Sequence, residues 1–198
     1  GYAVTPESLA DQVFLPSREG SLQVEMLSAT RRAGAVPVRL PGELSALLRE
    51  AADAMPAVVL LNLGLSFVPA WHYAVVVGFD LPAREVLLRG GTTRRMTMSM
   101  TTFEHTWHRA GSWAVAAVRP GRLPLTARES DAADAAAGFE RAQARPAVRG
   151  QVHDSVLQRW PDNLVSLIGR GTARATQGDW PGAAADFARR TLRDHLAR

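Results

Sequence analysis

Trp71-His72-Tyr73-Ala74-Val75-Val76-Val77-Gly78-Phe79-Asp80 decides how the middle of this chain folds. It is dense in Val, has no helical period, and reads as a strand buried on both faces. The stretch before it, Ala57 to Leu63, is another near-continuous apolar strand, and Gly64 to Ala70 is the loop between them. Asp80-Leu81-Pro82-Ala83 turns the chain into a third strand, Glu85 to Arg89. Gly90-Gly91 breaks that strand, Arg95 to Met98 alternates as a short fourth, and Trp113 to Val118 is the last.

Helical signals flank these strands. Thr5-Pro6 is an N-cap with proline at the first helical position, predicting a helix over Pro6 to Phe14. Ser21 is placed to cap a second helix ended by Gly34. Val36 to Leu40 reads as an edge strand because of Pro37. A third helix is predicted over Pro41 to Ala54, and Thr101-Thr102-Phe103-Glu104 reads as a capping box opening a fourth. Helices first, then mostly antiparallel strands, define an α+β domain. After Pro120-Gly121-Arg122-Leu123-Pro124 no strand pattern remains. A second capping box, Thr126 to Glu129, precedes helices predicted over 128–144, 147–159, 162–177 and 181–197. The expected division is therefore 1–120, a linker at 121–127, and an all-α segment at 128–198.

Composition narrows the function. The 198 residues are 46% hydrophobic and carry a net charge of +4, with Arg as the sole basic side chain apart from five His. No basic run interleaved with aromatics points to nucleic acid. No apolar run reaches the length of a membrane helix. There is no Cys, which excludes disulfides, thiolate metal sites and a thiol nucleophile within these residues. His105 and His108 have a metal-compatible spacing but no third ligand at suitable spacing, so neither a metal nor a cofactor is predicted. The abrupt opening before a helix start reads as a piece of a longer chain.

His72 stands out because it begins a Val-rich strand just after a loop. A general base needs a fixed imidazole at such a strand end, near a nucleophile and oriented by a third group. A histidine on an apolar strand is also commonly a satisfied core residue. Residues 4–118 resemble the bacteriocin-processing, double-glycine-leader cysteine peptidases of the papain-like superfamily. The resemblance runs through Val4 to Leu9, Gly20-Ser21-Leu22, the strand Ala57 to Leu63, and most specifically His72 to Asp80. It continues through Glu85 to Arg89, Met98 to Glu104, Trp107 and the strand at 113–118. It implies a papain-like domain lacking its first helix, whose Cys nucleophile and oxyanion-stabilising Gln would lie upstream of Gly1. Only His72 falls on a catalytic position of the family.

The family's orienting acid would fall near Arg89-Gly90-Gly91, where no carboxylate exists. A hairpin turning near Pro82 brings residues 90–92 back beside His72. Thr92 or Thr93 then offers a hydroxyl, and Asn62 offers an amide from the adjacent strand. Trp71 is placed as an aromatic wall beside His72, and Thr92 as a substrate contact.

The stretch from Leu164 resembles a tetratricopeptide repeat. Gly171 takes the position where two helices cross closely, Gly178-Asp179 the turn, and Ala183 and Phe187 the small and aromatic positions of the second helix. Together the resemblances imply a peptidase-like domain, inactive in these residues, acting on a peptide or protein. The alternative is a non-catalytic scaffold that binds peptide or protein. A sheet face left uncovered by the missing helix predicts a dimer, a domain swap or a retained partner piece. The family alone implies a bacterial cell-envelope setting.

Overall fold

The computed structural model describes residues 4–15, 20–91, 93–143 and 145–196. The chain forms two compact units. One comprises 38–117 with 124–128, and the other comprises 1–37, 118–123 and 129–198.

The first unit is built on a six-stranded sheet. Its strands are β3 (Val36–Arg39), β4 (Ala57–Asn62), β5 (Trp71–Asp80), β6 (Glu85–Gly90), β7 (Thr93–Ser99) and β8 (Ala114–Val118), in the order β3-β8-β4-β5-β6-β7. The pairings β8–β4, β4–β5, β5–β6 and β6–β7 are antiparallel. Cross-strand partners share a face and successive residues alternate. Register therefore gathers Ala57, Val59, Leu61, Ala74, Val76, Leu88, Ala114 and Ala116 onto one face, and all are buried. Val58, Tyr73 and Val75 on the other face are only half-buried.

The unit's helices are α3 (Leu44–Ala52) and α4 (Met100–Arg109). Helix α4 lies over the buried face, with Phe103 and Trp107 fully enclosed. Trp107 Nε1 donates to Trp113 O at 2.9 Å, and its ring stacks on Phe103 at 5.8 Å. The capping box expected at Thr101 does not form. β7 continues to Ser99, whose Oγ accepts from Thr102 N and caps α4 instead. The box expected at Thr126 is also replaced. Thr126 N and Oγ1 both donate at 2.6 Å to the fully buried Glu50 carboxylate, which also accepts from Leu125 N at 3.2 Å.

The second unit contains α1 (Pro6–Val13), the short pair β1 (Phe14–Leu15) and β2 (Gly20–Ser21), and α2 (Gln23–Arg32). Its remaining helices are α5 (Glu129–Ala142), α6 (Pro146–Arg159), α7 (Leu164–Thr176) and α8 (Trp180–Leu196). Thr5 caps α1 as expected, accepting from Ser8 N at 3.2 Å. Ser21 does not cap α2; Leu22 holds that position with no side-chain bond. Residues 1–37 group with the C-terminal helices. One reason is polar: Gln143 Nε2 donates to Arg31 O at 2.7 Å. Another is steric, since a Cβ on Gly138 would meet the Arg31 guanidinium at 2.8 Å.

Successive helices α5 to α8 pack on one another. Gly178, at φ +83°, makes the turn before α8, which Asp179 caps by accepting from Gly182 N at 3.0 Å. A Cβ on Gly171 would lie 2.6 Å from the Phe187 ring, so glycine permits this close crossing.

His153 of α6 is fully buried. Its Nε2 lies 3.3 Å from Glu140, its Nδ1 has no partner among the described residues, and its ring packs where a Cβ on Gly169 would project. Burial pushes its pKa below the ordinary histidine value, opposed by Glu140 and Asp154, while Arg170 lowers it further. The folded state thus disfavours the proton that the unfolded chain accepts. Stability of the helical unit is expected to be full above about pH 6.5 and to fall as pH drops through that value toward the lowered folded pKa. Urea midpoints at pH 7.5 and pH 5.5 should show this decline, and His153→Gln should flatten it.

Candidate functional site

Antiparallel pairing sets Leu61 opposite His72 and Asn62 opposite Trp71. His72 therefore projects on the face of Leu61 and Ala74, at the end of β5, where it is half-buried. The β5–β6 hairpin returns Gly90 to this ring. A Cβ on Gly90 would sit 2.7 Å from His72 Nε2 and 3.6 Å from Tyr73 O. The imidazole thus lies against bare backbone, in the space that a side chain at position 90 would enter. No hydrogen bond to the His72 ring occurs among the described residues.

The other expected site residues go elsewhere. Asn62 is 2% exposed, and its Oδ1 accepts from Gly64 N and Ala70 N, both at 3.0 Å. It braces the loop from the face opposite His72, so it does not orient that ring. Trp71, 58% exposed, also projects on the opposite face and is not a wall beside the imidazole. Both departures follow from register, because neighbouring residues on a strand point oppositely. Thr92 lies outside the described residues. Thr93 pairs with Gly90 at the start of β7 and is exposed.

Sequence reasoning missed one polar constellation. His108 Nδ1 lies 2.5 Å from Ser112 Oγ, and His108 Nε2 lies 3.7 Å from Glu104 Oε1. The order serine, histidine, carboxylate is that of a nucleophile, base and orienter. Stabilising an oxyanion would also require backbone donors aimed at it. Here Ser112 N donates to Trp107 O and Gly111 N to His108 O, closing the end of α4. The cluster is a helix terminus. Among the described residues no group of three or more metal-binding side chains is gathered. A depression of about 340 Å³ in the helical unit, lined by Gly121, Leu123, Ser155, Gln158 and Arg159, contains no residue of the His72 site.

No family model matches the chain, and no curated protein matches it. Among solved structures, the chain is similar to a crystal structure from Bacillus anthracis described as a C39-like peptidase, at 17% sequence identity and a TM-score of 0.43. The likeness covers 50% of this chain and 60% of that one, less than two thirds of its length.

Proposed function

We propose that residues 38–117 form a peptidase-like domain that holds an extended peptide at the His72 end of its sheet without hydrolysing it. The observation that carries this reading is the half-open imidazole lying on Gly90. Hydrolysis needs a nucleophile activated by that ring and a group that orients it. The 198 residues contain no Cys. A carboxylate at position 90 is precluded unless the ring moves, and Asn62 is committed to the loop.

The catalytic version of the proposal needs a sulfur nucleophile from outside these residues, with His72 as its base. Under either version the helical segment from Glu129 offers a surface to a partner protein, its α7–α8 hairpin closed by Gly171 on Phe187.

Fluorogenic peptides and an unstructured protein such as casein test the reading. The chain is expected to give no turnover above buffer and to bind a labelled unstructured peptide in fluorescence anisotropy. Binding should weaken several-fold in His72→Ala. Hydrolysis that disappears in His72→Ala would show that a nucleophile within the chain completes the site. An absence of peptide binding would remove the proposal.

A further inference from the structure

Residues 54–79 contain no Asp, Glu, Lys or Arg. Within them, the β4–β5 loop thrusts a cluster of large apolar side chains into solvent. Leu63, Leu65, Val68 and Trp71 are between 47% and 63% exposed, and Phe67 is 79% exposed. Leu81, Leu125 and Trp180 are as exposed but stand singly along the chain, and the neighbours Val165 and Ile168 are only 44% and 37% exposed.

The loop is fixed by internal bonds. Asn62 Oδ1 holds both its ends, Leu63 N donates to Ala70 O at 2.9 Å, and Val68 N donates to Leu65 O at 3.2 Å. Gly64 allows the chain to close, because a Cβ there would strike Val68 O. Apolar side chains held in place lose little further freedom when they bind.

We infer that this loop is a wedge that inserts into the interfacial region of an anionic lipid bilayer. Three observations favour that occupant. The tip is convex: residues 63 and 65–71 are all exposed, with only Gly64 half-buried. A protruding apolar tip suits a soft hydrocarbon boundary, whereas peptide recognition calls for a concave site.

Charge gives the second observation. The tip carries none, while the exposed Arg109 donates through Nη2 to Asn62 O at 3.1 Å, placing a cation at the loop's base. Trp71 stands at the same base, and Trp and Arg both favour the headgroup level. Size is the third. Five side chains offer on the order of a few hundred Å², short of the ~800 Å² per partner of a stable dimer. No helix of the described residues is long and apolar enough to cross a membrane. The inference does not depend on a peptidase reading.

Co-sedimentation with extruded vesicles tests it. Vesicles of phosphatidylcholine with about one third phosphatidylglycerol are expected to pull the chain down, more strongly at low salt than at high salt. The double variant Phe67→Ser, Val68→Ser should lose at least about tenfold in partition coefficient. Arg109→Gln should lose about threefold to fivefold on anionic vesicles and little on pure phosphatidylcholine. Unchanged circular dichroism in both variants would show that folding is intact, as the exposure of these side chains implies. Failure of the wild type to sediment, or unchanged partition of the double variant, would overturn the inference. So would a homodimer in velocity sedimentation that Phe67→Ser dissolves, because a second copy would then occupy the patch.

Discussion

Replacing Trp107 with alanine is expected to cost the sheet-containing unit about 3–5 kcal/mol, the largest effect of any single truncation considered. The indole is fully enclosed, stacks on Phe103 and His108, and donates to Trp113 O at 2.9 Å. Its removal opens a ring-sized cavity under α4, and the close packing around it cannot collapse to fill that volume. It also deprives Trp113 O of its indole donor, next to the point where β8 enters the sheet. A fall in urea midpoint with unchanged slope would express this as a loss of stability rather than a change in compactness. Trp107→Phe keeps part of the volume and should recover part of the loss. A Trp107→Ala protein as stable as wild type would mean that α4 does not seal the sheet.

A comparable loss is expected in the helical unit from Asp186→Ala. Asp186 is 3% exposed, and its carboxylate accepts from Arg170 Nη2 at 2.6 Å, Arg170 Nε at 3.0 Å and Arg174 Nη1 at 3.0 Å. Arg170 also donates to Asp154 at 3.2 Å, and its pKa is raised chiefly by the hydrogen bonds it donates to Asp186. Removing the central anion leaves two guanidinium groups, one turn apart on α7, without their shared partner on α8. Breaking a buried pair costs about 3–5 kcal/mol. Partial exposure of Arg170 and Arg174 should bring the loss to the lower part of that range or slightly below it. Asp186→Asn should retain some bonds and lose less. The same network draws α8 onto α7, so the variant should also expose α8 to proteolysis before the sheet unit unfolds. Equal resistance in wild type and Asp186→Ala would contradict this role for the cluster.

Much of the fold could be read from the chain because its signals are local. The apolar runs at Ala57 and Ala74 lie in β4 and β5, and helices α5 to α8 fall within about two residues of their expected spans, the usual scatter of helix ends. The return of Gly90 to His72 followed from turn position alone, since a hairpin near Pro82 leaves few other registers.

What was not legible depended on tertiary register or distant partners. Which face Asn62 and Trp71 occupy is fixed by pairing Leu61 with His72, and a one-residue slip would reverse it. The pattern Thr-x-x-Glu at Thr101 satisfied a local rule, but β7 runs on to Ser99 and takes the cap position. Thr126 showed the same local pattern, while its hydroxyl serves Glu50, 76 residues earlier in the chain. Nothing in the spacing of residues 1–37 announces that Arg31 will lie across Gly138.

Peptide photo-cross-linking tests the central claim about the His72 end of the sheet. A benzophenone-bearing unstructured peptide, irradiated with the chain and followed by trypsin digestion, should leave adducts on residues 50–84, which contain His72, and on residues 90–94. Adducts confined to residues 129–196, with none on 90–94, would show that the sheet end beside Gly90 does not receive peptide and would contradict the account.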